Sequence, residues 1–256
     1  MKHTSSCPIV FNSDFAYNIG VEREYFITTS WGQIAPEAAK VLPLLPKIEE
    51  VGEYSYELSA CQIETKSIPC ATWQQIWETQ VELEDTLDSA LQQLHLRKQA
   101  LSVAPDDMPL SVYPDPTGRY AQISASMPKE MLQAACMIAG THFHIGMPNA
   151  KTALATYNHV IKYIDEINSL GDNSNGKRMA LYRKVAPMCD PVAYNSWRDF
   201  NAYANTHGFA ENLRNCWHLI RLTRHGTIEF RNFGATESTD EVIKWATYCK
   251  NLCLEA

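Results

Sequence analysis

Two glutamates, Glu22 and Glu24, stand two residues apart in the run Ile-Gly-Val-Glu-Arg-Glu-Tyr-Phe-Ile-Thr at 19–28. The run reads as a strand. Side chains two apart on a strand share a face, so both carboxylates are aimed at one space while Val21, Tyr25 and Ile27 take the other side. The same arithmetic pairs His142 with His144 in Gly-Thr-His-Phe-His-Ile-Gly, and sets Thr227, Glu229 and Arg231 on one side of Gly-Thr-Ile-Glu-Phe-Arg. Clustered carboxylates repel, and at least one is driven to protonate unless a cation sits among them. An oxygen-rich set with one or two imidazoles suits Mg²⁺ or Mn²⁺, ions that bridge ATP phosphates in phosphoryl transfer.

Each piece alone has a plainer reading. An isolated Glu-x-Glu is usually the solvated face of an edge strand, and a lone pair of histidines is usually structural. The functional reading comes from three strands with the same one-sided polarity. An anionic substrate approaching ATP needs a basic group beside the cations, and Arg119, Arg198, Arg221 and Arg224 are candidates. If the hairpin near His225-Gly226 turns in two residues, Arg224 falls on the Glu229 face and Arg221 on the other. Trp197 and Trp217 lie close to the candidate site in sequence, whereas Trp73, Trp77 and Trp245 read as core.

The elements that position these residues follow from periodicity. A second extended region covers 54–66, and 72–98 is an amphipathic helix with Ile76, Leu83, Leu87 and Leu91 on one stripe. Leu101–Ala104 reads as a short strand, followed by a long proline-bearing loop over 105–118. Helices are predicted over 128–138, 152–170 and 177–189, with a strand at Gly140–Gly146 and a turn at 171–176. Residues 190–208 read as irregular, 216–233 as a hairpin, and Ser238-x-x-Glu241 as the capping box of a last helix. Strands interleaved with helices predict one α+β domain over 1–256, its mainly antiparallel sheet covered by helices on one face.

With 256 residues, 45% apolar and 20% charged, the chain is long enough to bury a sizeable core. Its formal net charge of -7 argues against nucleic-acid or anionic-membrane partners. Eight cysteines without a C-x-x-C pair, no leader-like N-terminus and no long apolar run predict reduced thiols and a cytoplasmic protein.

The motifs together resemble the glutamate–cysteine ligase type 2 family of carboxylate–amine ligases, relatives of glutamine synthetase. The resemblance rests on Gly-Val-Glu-Arg-Glu-Tyr at 20–25, Glu57 with Ile-Glu-Thr at 63–65, and the histidine and Glu229 motifs, in that order along the chain. It implies a bowl-shaped sheet with ATP and two or three Mg²⁺ (or Mn²⁺) ions on its concave face and helices on its convex face. It implies Glu22, Glu24, Glu57, Glu64, His142 and Glu229 as metal ligands and His144 as a nucleotide or substrate contact. Catalytic roles fall to Glu229 and to Arg231, the latter holding the γ-phosphate.

The implied reaction activates a carboxylate, the γ-carboxyl of glutamate, as an acyl phosphate and joins it to cysteine or another amine. Assembly as a homo-oligomer is left open. The alternatives are a guanidino-kinase-like phosphotransferase and a catalytically silent amino-acid or nucleotide-binding protein. Two features stand apart from the pattern: Arg23 takes a place where the family commonly has an acidic residue, and Glu57 and Glu64 are seven apart. On an unbroken strand those two glutamates would face opposite ways, so the ligand set requires the chain to bend between them.

Overall fold

The computed structural model describes residues 9–256; Cys7 and the rest of the first eight residues of the predicted domain lie outside the described residues. The chain runs β1 (Ile19–Thr29), a single turn α1 (Ala38–Val41), β2 (Gly52–Tyr56), β3 (Gln62–Ser67), α2 (Trp73–Gln93) and β4 (Leu96–Gln99). It continues through α3 (Arg119–Ser126), α4 (Lys129–Met137), β5 (Gly140–Gly146), α5 (Ala150–Val160), α6 (Ile164–Gly171), α7 (Lys177–Val185) and α8 (Trp197–Thr206). The hairpin β6 (Ile220–Leu222) and β7 (Thr227–Gly234) leads into α9 (Thr239–Leu254).

Seven strands make one antiparallel sheet among the described residues, in the order β2-β3-β1-β5-β7-β6, with β4 paired to the far end of β1. Strand alternation divides it. Val21, Phe143, Ile145, Ile228 and Phe230 are buried against Tyr157 and Val160 of α5, Ile167 of α6 and Trp245 and Cys249 of α9. Tyr25, Ile27 and Ile63 pack on Leu87 and Leu91 of α2. Helices α2, α5, α6 and α9 therefore cover one face, and the polar alternates occupy the opposite one, where the end of β1 is covered, Phe26 packing on Cys136 and Met137 of α4.

One irregularity keeps both faces consistent. Between Thr141 and Phe143 the β5–β7 register shifts by one residue, so β7 carries an extra residue opposite His142. Without that bulge, Phe233 would lie on the face of Glu229 and Arg231. With it, Phe233 turns into the core, its ring centroid 5.0 Å from Phe143 and 5.1 Å from Trp245.

Several boundaries differ from the periodic reading. The helix predicted through 98 stops at Gln93 because His95 adopts φ +57 and turns the chain back, which releases Leu96–Gln99 to pair with β1. The strand expected at Leu101–Ala104 is reduced to a Val103–Ile138 bridge. The helix expected over 152–170 is broken by a 3₁₀ turn at Ile161–Tyr163, and 190–208 contains α8, capped by the Ser196 side chain. The predicted loop gives way to α3 at Arg119, where Asp115 accepts from the main-chain N–H groups of Arg119 and Tyr120.

Trp245 is buried, as expected of a core residue. Trp73 and Trp77 are 38% and 44% exposed. The inward stripe of α2 runs through Ile76, Leu83 and Leu87, which rotates Trp77 outward, and Trp73 sits in the first turn with the Lys250 ammonium over its ring.

Candidate active site

The open face of the sheet is the floor of a cleft of about 430 Å³. Register decides which side chains meet there. Glu24 lies directly across from Glu64, Glu22 across from Lys66 on one side and His142 on the other, and His144 across from Glu229. Glu57 falls in the turn between β2 and β3, so the chain bends between it and Glu64, and both line the cleft. The β6–β7 loop is longer than two residues: Thr223 pairs with Thr227, and Gly226 takes the left-handed φ of +69 that closes the turn. Arg221, not Arg224, is therefore the residue opposite Glu229.

Among the described residues two sets of side chains each bring their ligand atoms within 4.8 Å of one another: Glu22, His142 and Glu229, and Glu24, Glu64 and His142. His142 Nδ1 and His144 Nε2 are buried without a hydrogen bond, although they approach Glu22 Oε2 to 3.5 and 3.4 Å. Two orphaned imidazole nitrogens converging on one carboxylate oxygen fit the ligand set of a divalent cation. His144 Nδ1 is engaged by the Thr227 hydroxyl at 3.0 Å, which leaves Nε2 to face the cleft.

Burial pushes Glu24, Glu57 and Glu64 above the usual carboxylate range, and neighbouring carboxylates reinforce the shift. Burial acts on Glu22 in the same sense, yet His144, the close approach of His142 and the charge of Lys66 hold it well below that range. Glu229 is also depressed, because Arg221 and Arg231 outweigh its burial. Burial, with Arg231 nearby, brings His142 down to about 4, a neutral imidazole with a free lone pair at neutral pH.

Arg221 grips Glu229 through both oxygens, at 2.6 and 3.0 Å, and Arg231 adds a third contact at 2.5 Å. Tyr182 accepts from Arg231 Nε at 3.2 Å. Behind them the buried Arg178 donates to the carbonyls of Ala139, Arg231 and Asn232, pinning the bulge. Glu24 accepts from the Gly140 N–H at 2.6 Å.

Arg119 and Arg224 line the cleft, but Arg198 is exposed on α8 and is not part of the lining. Trp217 lines it too, whereas Trp197 packs on Phe200 and donates to the Ala150 carbonyl instead. The sequence reading missed Lys66, Ser55, Tyr120 and Arg214, all in the lining. Lys66 was within reach of the strand arithmetic, being two residues past Glu64. Arg214 was not, because it stands outside any regular strand.

The model of glutamate-cysteine ligase family 2 matches residues 18–253. A protein of Roseiflexus sp. strain RS-1 is 24% identical over 262 residues, covering 94% of this chain and 67% of its own length. One of Chloroflexus aurantiacus is 26% identical over 269 residues, covering 95% and 66%. Both carry the name "Putative glutamate--cysteine ligase 2", and the chain spans about two thirds of their length. The bifunctional glutathione synthetase of Pasteurella multocida shares the fold, with a TM-score of 0.61 and 12% identity over 92% of this chain and 39% of that one. The match runs from the start of β1 to the last turn of α9, through every strand that contributes to the cleft, and the chain belongs to glutamate-cysteine ligase family 2.

Proposed function

We propose that this chain is an ATP- and divalent-cation-dependent ligase that joins the γ-carboxyl of glutamate to the amino group of cysteine or another amine. Residues 18–253 would work as one catalytic domain. The observation that carries this reading is the pair of ligand groups sharing His142, set beside the Arg221–Glu229–Arg231 clamp. A neutral imidazole has one free lone pair, so His142 would serve one cation, with Glu22 and Glu229 or with Glu24 and Glu64, and the carboxylates of the other group would hold a second, with Glu57 beside Glu64. When bound, such ions neutralise the phosphates of ATP and polarise the γ-phosphorus.

The chain's own side chains do the rest. The substrate carboxylate oxygen attacks the γ-phosphorus as ADP leaves, and the amine nitrogen then attacks the acyl carbon, losing a proton as phosphate departs. Arg231 keeps a permanently charged guanidinium beside the transferring group, its place fixed by Glu229 and Tyr182. Arg119 on one wall and Arg214 and Arg224 on another have no acidic partner among the described residues and can meet the anionic ends of the substrates. Trp217 and Tyr120 offer apolar surface between them.

The experiment is ADP and phosphate release from Mg²⁺-ATP with glutamate and a panel of amines including cysteine. Ligation requires both acid and amine, and the Glu229→Gln variant loses at least about a hundredfold in rate. Phosphate transfer to a nitrogen compound without glutamate would replace this reading with a phosphotransferase.

A further inference from the structure

The carboxylates of the cleft share their counter-charges unequally. Two guanidiniums hold Glu229, and a main-chain N–H serves Glu24. Glu64 and Glu22 share a single ammonium: Lys66 Nζ lies 2.7 Å from Glu64 Oε2 and 3.8 Å from Glu22 Oε1. Among the described residues no other lysine or arginine comes within ion-pair reach of either. Strand alternation puts Lys66 on the face of Glu64, and register sets it across from Glu22 on one side and Glu53 on the other. Ser55 donates to the same Glu64 oxygen at 2.8 Å. Glu53 is exposed, lines the rim of the cleft and has no ion-pair partner among the described residues.

Glu64 belongs to the second ligand group, with Glu24 and His142. An ammonium and a divalent cation on one carboxylate repel each other, so the two compete for it. Resting on the metal reading above, we infer that Lys66 is a resident counter-ion of the cleft. It neutralises Glu64 and Glu22 before metal enters, then yields Glu64 to the divalent ion by turning across the ladder to Glu53. The side chain suits that movement: its stem is flexible, it is 30% exposed, and the new partner stands directly opposite. The exchange sets the metal concentration at which the second group fills, and makes Lys66 and Glu53 positioning residues of opposite sign.

The test is Mn²⁺ binding to the metal-free full chain, followed by loss of the free-ion paramagnetic resonance signal. Lys66→Met tightens the weaker binding step roughly five- to tenfold, the scale of one partly buried ion pair, while Glu53→Gln weakens it. Lys66→Arg, which keeps the charge, binds as the wild type does. Unchanged or weaker binding by Lys66→Met overturns the inference, as does tighter binding by Glu53→Gln. Should Lys66→Met fail to fold, the wild type answers alone. Acetylation of Lys66 by acetic anhydride, read by mass spectrometry, rises several-fold on Mn²⁺ saturation, and unchanged reactivity overturns the inference. A wild type that takes up no Mn²⁺ removes the metal site of the proposed function and this inference with it, an outcome distinct from failure at Lys66 alone.

Discussion

Arg221 and Glu229 face each other across the β6–β7 ladder, and the guanidinium of one grips both carboxylate oxygens of the other. Glu229 is fully buried, so removing the fork leaves Arg231 as its one guanidinium partner among the described residues. Arg221→Ala should destabilise the fold by about 3 kcal/mol, the cost of uncovering a buried charge, with urea unfolding as the measurement. Arg221→Lys keeps the charge but not the two-pronged geometry, and should recover part of that stability while ligation still falls by about tenfold or more. Full activity in Arg221→Lys would show that the fork does not position Glu229.

Metal binding should depend on pH through the carboxylates that burial raises. Glu24, Glu57 and Glu64 bind a proton more tightly folded than unfolded. In the metal-free protein their contribution to stability is therefore present at low pH and lost as pH rises above the unfolded value of about 4.3. A divalent cation relieves that loss by displacing the protons. The thermal shift produced by Mg²⁺ should be larger at pH 8 than at pH 5.5, and a shift independent of pH would count against these carboxylates as ligands.

His218 makes the opposite contribution. It is buried beside Tyr203 and Phe209, and burial, with His207 nearby, brings it down to about 4. The unfolded chain takes up this proton near pH 6.5 and the folded chain does not until about pH 4. Stability from this group is thus complete above pH 6.5 and is lost as pH falls toward 4, by about 3 kcal/mol at most. His218→Gln should flatten the acid limb of a stability–pH profile relative to the wild type. His142, also at about 4, keeps its share of that limb in the variant.

Gly140 tests how the second layer holds the first. A Cβ there would lie 2.3 Å from an Arg178 guanidinium nitrogen and 2.7 Å from the Phe233 carbonyl. The same residue's N–H holds Glu24. Gly140→Ala should cost about 1–3 kcal/mol through overpacking, and should weaken Mg²⁺ binding as well. Calorimetry with and without Mg²⁺ separates the two effects, and a stability loss with unaltered Mg²⁺ affinity would mean that Glu24 keeps its place without this contact.

The polar faces of three strands could be read from alternation, because a strand repeats every two residues and the motifs were short, regular and flanked by apolar alternates. That is why Glu22 with Glu24, His142 with His144, and Glu229 with Arg231 could be grouped before any fold was known. The helix stripe of α2 and the cap of α9 were legible for the same local reason. Trp73 and Trp77 were misplaced because hydrophobicity says that a side chain gains from burial, not which side of a helix the sheet will occupy.

Everything that depends on one strand's offset from another was decided by tertiary structure. Sequence placed Arg221 and Arg224 as rivals, and the length of one turn chose Arg221, since a single-residue slip exchanges the faces. The bend that lets Glu57 join Glu64, the bulge that sends Phe233 to the core while Arg231 stays at the site, and the pairing of Lys66 with Glu64 and Glu22 all arise the same way. Residue types and spacing determined what chemistry the chain carries, because charge and periodicity are local properties. Which of those groups meet was settled by register, a relation between segments far apart in sequence whose energy exists only once both strands are in place.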